Sequence, residues 1–291
     1  MRMNPVLEND MKRNMRSMKS SWVVFGINLL LTIISVAAYF GTASPGGYLS
    51  SGQYRYPVKC YMLIAYTLFF MIYLLVPGIA GGSIAIERER KTLDILLTTH
   101  LSPWKIVLGK LESSLSMIFL IAFSTLPAVS LILIFGGVSV VDLLALVVIL
   151  VISGIFIGSI GIFCSAMIRK STVATIVSYV IVMMLILGTV AILMAGHYFL
   201  EARAQQMGNY NSVNMGRWIF LLLLNPLFSY FGLLSHQVGS GNELLEICNY
   251  FGEYSGSMVV RHMLLISIMV QIVLSAVLLY AAGKNINPLR K

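Results

Sequence analysis

The chain has 291 residues, of which 58% are hydrophobic and 11% charged, with a mean hydropathy of +0.88 and a formal net charge of +9. A soluble domain carries roughly 25% charged residues, so this composition excludes a water-facing surface of ordinary kind and points to lipid as the solvent. The basic excess sits between apolar runs, which makes it an orientation signal and argues against nucleic-acid binding.

The first 21 residues are too polar and basic for a cleavable signal peptide. Leu7, Met11, Met15, Met18 and Trp22 recur at helical spacing, while Lys12, Arg13, Arg16 and Lys19 occupy other faces. Pro5 suits a first helical turn. The segment 4–21 is expected to be a helix lying in the membrane interface.

A bilayer crossing needs about 20 apolar residues. Six runs meet this: 22–40, 61–79, 106–135, 143–168, 172–195 and 263–282. With the N-terminus inside, the segments 1–21, 80–112, 169–171 and 283–291 face the cytoplasm and hold fifteen of the twenty Lys and Arg residues. The acidic residues split six inside and five outside, so the whole net charge lies on one side. This places both ends of the sequence in the cytoplasm of a bacterial-type inner membrane. A seventh apolar run, 218–234, is broken by Asn225 and Pro226. Were it a full span, Lys284, Arg290 and Lys291 would fall outside, against the charge pattern. It reads as a re-entrant helix pair or a helix near the outer interface, with an ordinary seventh span as the alternative. The fold class is therefore an all-α membrane protein, a single transmembrane domain over 1–291, with an extracytoplasmic segment at 197–262.

Residues 84–112 read IAIERERKTLDILLTTHLSPWKIVLGKLE. Alternating charges open the stretch, leucines follow at 93, 96 and 97, and Ser102 with Pro103 marks the start of the next helix. The pattern of Glu87, Arg88, Glu89, Lys91, Thr92, Leu93, Asp94, Leu96, Leu97, Thr99, Leu101 and Ser102 resembles the permease subunits of ATP-binding-cassette exporters of the second type, the ABC-2 family. The phrase from Ile106 to Lys110 continues the likeness, and His100 departs from it where proline is usual. The resemblance implies a coupling loop at 84–103 that docks on a separate ATPase, with Glu87, Arg88, Glu89, Arg90, Lys91, Thr92 and Asp94 at the contact. It also implies a second permease copy or a related one, a substrate passing between them, and ATP with magnesium held by the partner. The plain alternative is that these charges pair among themselves, as Arg90 and Asp94 can at i, i+4, or mark the membrane edge.

Other chemistry is poorly supplied. The pattern G-x-x-x-x-G-K-[ST] does not occur, so no nucleotide chemistry of that kind is expected in this chain and no cofactor is assigned to it. The predicted spans lack ionisable residues at their centres. Lys110 and Glu112 lie near an end of the third, and Gln271 is the polar exception in the sixth. The four histidines are dispersed, and Cys60, Cys164 and Cys248 show no paired spacing, so no metal is expected. Gly154, Gly158 and Gly161 form a small-residue stripe suited to close helix packing, within the subunit or at a dimer interface. Competing functional readings are a self-contained carrier or channel and a non-transporting membrane scaffold. The cargo stays open, with an apolar, lipid-like or peptide-like amphiphile fitting an apolar lining.

Overall fold

A computed structural model describes residues 18–42, 55–93, 102–125, 138–207, 214–238, 243–252, 254 and 258–286. The predicted interfacial helix over 4–21 falls outside them save for its last four residues. These residues already belong to the first helix, α1 (Met18–Thr42). It is followed by α2 (Arg55–Glu89), α3 (Pro103–Ser124), α4 (Val140–Met167) and α5 (Ser171–Met183). A π turn at Met184–Gly188 joins α5 to α6 (Thr189–Gln206). A 3-10 helix, Gly216–Leu224, then precedes α7 (Pro226–Val238), α8 (Glu243–Tyr250), α9 (Met258–Arg261) and α10 (Met263–Ile286). No strand occurs among the described residues.

Five described helical stretches are long and apolar enough to cross a membrane: Tyr61–Glu89, Pro103–Ser124, Val140–Met167, Ser171–Gln206 and Met263–Ile286. The pair formed by Gly216–Leu224 and Pro226–Val238 makes a sixth when counted as one span, and its halves meet at 89°. In α1 the described apolar stretch is Val24–Ile33.

The outer faces of these helices are greasy. On α10, Leu265, Met269, Val273, Val277 and Tyr280 are all exposed and recur every three or four residues. Exposed apolar ridges of that length are not sustained in water, whereas lipid solvates them.

Helix boundaries overrun the apolar runs in several places. α2 has 35 residues, which at about 1.5 Å per residue gives roughly 50 Å, well beyond a hydrocarbon core of about 30 Å. It therefore includes 84–89, the first residues of the stretch expected to be a separate coupling loop. The helix through α5 and α6 runs to Gln206 rather than stopping at 195. Its added turns contain Leu200, Glu201, Ala202, Arg203 and Ala204, all good helix formers. α4 starts at a capping box: Asp142 N–H donates to Ser139 Oγ at 3.2 Å, and Ser139 N–H donates to Asp142 Oδ2 at 3.0 Å.

The chain divides into two packed units, Met1–Tyr179 with Ser275–Lys291, and Val180–Leu274. In the first, α2 packs against α4, α3 and α1. Asn28 on α1 donates to Ser124 Oγ on α3 at 2.9 Å. Trp104 stacks near Tyr280 at 5.5 Å and lies over Gly283. In the second, Leu193, Met215, Ile219, Leu222, Phe228 and Phe251 belong to one buried cluster. The break at Asn225 is held by side-chain bonds. Asn225 Nδ2 donates to Thr189 Oγ1 at 2.8 Å and to Ile186 O at 3.1 Å, while Asn225 Oδ1 accepts from Leu227 N–H at 2.9 Å. The π turn leaves carbonyls without their usual helical donors, and this asparagine takes up one of them.

Candidate functional site

The charged end of α2 carries a dense set of polar contacts. Three consecutive side chains each reach a different helix. Glu87 Oε1 lies 2.5 Å from Lys110 Nζ on α3, and both side chains are largely out of solvent, 17% and 7% exposed. Arg88 Nη2 donates to Ala166 O, near the C-terminus of α4, at 3.1 Å. Glu89 accepts twice from Ser171, the first residue of α5: from its N–H at 3.0 Å and from its hydroxyl at 2.7 Å. The sites are electrostatically suited, because a cation belongs at a helix C-terminus and a carboxylate at an N-terminus. These hydrogen bonds also satisfy backbone groups that helix ends leave without partners.

Glycines and small residues bring the same three helices together further along. A Cβ on Gly158 would sit 2.8 Å from Leu111 Cδ1 and 3.5 Å from Val76 Cγ1. On Gly161 it would sit 2.8 Å from Ala80 Cβ and 3.0 Å from Gly81 N, and on Gly154 it would meet Ile118 and Leu115. All three glycines of the stripe thus face α2 or α3 within the chain. α2 answers with its own notches: a Cβ on Gly81 would clash with Ser178 and Thr175 of α5, and one on Gly78 with the Tyr179 hydroxyl. Tyr179 donates to Leu74 O. Between these points Ser165 Oγ accepts from the N–H groups of both Ile84 and Ala85 at 2.9 Å, while Ser83 Oγ donates to Ala80 O. A hydroxyl from α4 is thereby inserted beside the α2 hydrogen-bond ladder, a few residues after Pro77 and Gly78.

α2 ends just after this anchorage. Lys91 N–H donates to Arg88 O at 3.1 Å, and Lys91 adopts φ +58°. That left-handed conformation is uncommon for a residue with a Cβ and closes a helix C-terminus. Arg90, Lys91 and Thr92 are exposed, and Thr92 Oγ1 donates back to Glu87 O at 3.1 Å. Asp94 and the rest of the loop to residue 101 lie outside the described residues. Of the seven residues singled out in the sequence, then, Glu87, Arg88 and Glu89 bind within the chain, Thr92 is exposed but bonds back to Glu87, and Arg90 and Lys91 project from the turn. Lys110 and Ser171 were not singled out as their partners, because they lie 23 and 82 positions away from them.

Gln271, the polar exception in its apolar run, is fully buried in the second unit, and its amide N–H groups donate to Ser229 and Ser267 at 2.9 and 3.1 Å. The cysteines offer no reactive centre there: Cys248 is free and buried, and burial pushes its thiol up to about 11. No group of three His, Cys, Asp or Glu residues suited to a metal occurs among the described residues. A narrow apolar crevice of about 10 Å³, room for about one water, lies among α2, α3 and α4, lined by Leu68, Met71, Ile72, Ile118, Ile121 and Leu150 with Ser114 as a polar member.

Long apolar helices with lipid-suited outer faces and polar side chains confined to helix ends and buried pairs define a multi-pass membrane protein. Comparison with curated proteins finds no match. The sequence does match the family described as ABC-2 family transporter protein over residues 5–283. The chain belongs to that family of membrane transporters.

Proposed function

We propose that this chain is the membrane-spanning permease subunit of an exporter driven by ATP hydrolysis on a separate ATPase subunit. The observation that carries this reading is the family match over 5–283 in a chain without a phosphate-binding loop of the G-x-x-x-x-G-K-[ST] type. The energy source then belongs to another polypeptide. Six spans with both ends of the sequence in the cytoplasm, taken from the charge count, put the α2–α3 turn on the ATPase side. Exposed Arg90, Lys91 and Thr92 on a rigidly held turn suit docking, since charged groups in fixed register steer and orient a partner. Two such chains, or this chain and a related one, enclose the pathway. A pathway enclosed by helices this apolar favours an amphiphilic cargo.

The test is affinity purification from mild detergent of the wild type and of Arg90→Glu/Lys91→Glu. These exposed positions can change charge without breaking the bonds of Glu87, Arg88 and Glu89. An ATPase that accompanies the wild type and is lost from the correctly inserted variant supports the reading. Nucleotide-independent transport by the purified chain alone would replace it with the carrier reading.

A further inference from the structure

The contacts of α2 are not spread evenly. From Leu74 to Glu89 nearly every turn of the helix is fixed to α4 or α5, in strict register. On α4 the partners run Gly158, Gly161, Ser165 and Ala166 against Val76, Ala80, Ile84 with Ala85, and Arg88. On α5 they run Ser171, Thr175, Ser178 and Tyr179 against Glu89, Gly82, Gly81 and Gly78. α2 therefore packs along α4 and touches α5 at Gly78, Gly81, Gly82 and Glu89, where its glycines admit the neighbouring side chains and backbone. Close-packed interfaces of this kind shift as bodies and do not deform continuously.

On its α2 side the exposed turn at 90–92 joins this arrangement at Glu89. Glu89 is the last residue of α2, and it holds the first residue of α5 by two charge-assisted hydrogen bonds. A displacement of the turn is thus delivered to the first residue of α5 through the Glu89 side chain. Arg88 and Glu87 deliver the same displacement to the end of α4 and to α3.

We propose that residues 74–92 and 158–179 form one coupling body, in which Glu89 is the positioning residue that ties α5 to the docking turn. This rests on the permease reading above, and it separates two tasks within one short charged motif. Arg90 and Lys91 meet the ATPase. Glu87 and Arg88, both partly buried, and Glu89, itself exposed, bond to three neighbouring helices and carry its movement to them. Glu89→Gln removes the negative charge and one acceptor at the α5 N-terminus, and leaves the exposed turn chemically intact.

The experiment compares backbone amide exchange in the purified complex with its ATPase, without nucleotide and with ATP plus vanadate. In the wild type the nucleotide-dependent change appears in peptides covering both 86–93 and 168–178. In Glu89→Gln the ATPase stays bound, the change at 86–93 persists and the change at 168–178 is lost. Ser171→Thr keeps the backbone donor and a hydroxyl and retains the wild-type response, which a general loss of folding would not allow. A response at 168–178 that survives in Glu89→Gln overturns the inference, as does loss of the ATPase from that variant. A wild-type complex that changes only at 86–93 overturns it too. Absence of any ATPase from the wild-type preparation overturns the permease reading and, with it, this inference.

Discussion

Lys110 shows how one residue is made tolerable in an apolar setting. An ammonium that is 7% exposed needs a counter-charge, and Glu87 Oε1 supplies it at 2.5 Å. Removing one partner of such a pair takes the counter-charge from the other in a largely buried setting, which costs more than the pair itself contributes. Glu87→Gln and Lys110→Met are each expected to lower the stability of the detergent-purified protein by about 2 kcal/mol, below the 3–5 kcal/mol of fully buried pairs because Glu87 keeps some solvent access. The double variant should recover much of that loss. Thermal unfolding of all four proteins gives the coupling, expected to exceed about 1 kcal/mol, since residues in direct contact are non-additive. Strictly additive losses would mean the two side chains do not stabilise one another. The charged motif was visible in the sequence as a pattern, but its division of labour was not. Sequence spacing reports which residues share a helix face. It does not report that Glu87, Arg88 and Glu89, being about 100° apart around α2, each meet a different neighbouring helix.

At the scale of elements, the apolar runs located the helices and misplaced their ends. The run 61–79 became α2, Arg55–Glu89, and the run 172–195 became a helix to Gln206. Hydropathy marks where lipid stops, while a helix stops where its backbone finds better partners or its sequence turns. Residues 84–89 stay helical because Ser165 and the helix ends around them take up their polar groups. Likewise the stripe of Gly154, Gly158 and Gly161 was legible as a packing face, but its partners were not. The structure makes these glycines unequal. At Gly161 a Cβ would press on Ala80 Cβ at 2.8 Å and on backbone at 3.0 Å, and neither can swing aside. At Gly154 the nearest atom is the tip of Ile118, which can turn. At Gly26 in α1 nothing lies within 4 Å among the described residues. Gly161→Ala should therefore destabilise by about 1–3 kcal/mol as α2 and α4 are forced apart. Gly154→Ala should cost less, and Gly26→Ala should be neutral or gain up to about 1 kcal/mol of helix propensity. The order of the three melting temperatures checks this. Equal melting temperatures would show that the α2–α4 contact is not under steric control.

For the whole molecule, the distribution of charge predicts which way it sits in the membrane. Fifteen of the twenty basic residues fall in 1–21, 80–112, 169–171 and 283–291, and each of these segments lies at an end of an apolar run. Short loops rich in Lys and Arg resist translocation, so these segments are expected to share the cytoplasmic face. The structure supplies residues that can report this without disturbing a buried contact. Lys91, Lys170 and Gln206 are all exposed. The first two lie in segments assigned to the cytoplasm, and the third lies beyond the apolar run of α5 and α6, on the side assigned outside. Single cysteines at these positions, in a background where Cys60, Cys164 and Cys248 are replaced, should separate cleanly in intact cells. A membrane-impermeant maleimide should label Gln206→Cys, and should reach Lys91→Cys and Lys170→Cys only after the membrane is opened. The converse pattern would invert the molecule and overturn the proposed docking of the 90–92 turn on an ATPase. Labelling of Lys91→Cys and Lys170→Cys on opposite faces would be the heavier blow. Glu89 binds Ser171 directly, so the two turns must share a face for the bonding at the end of α2 to exist at all.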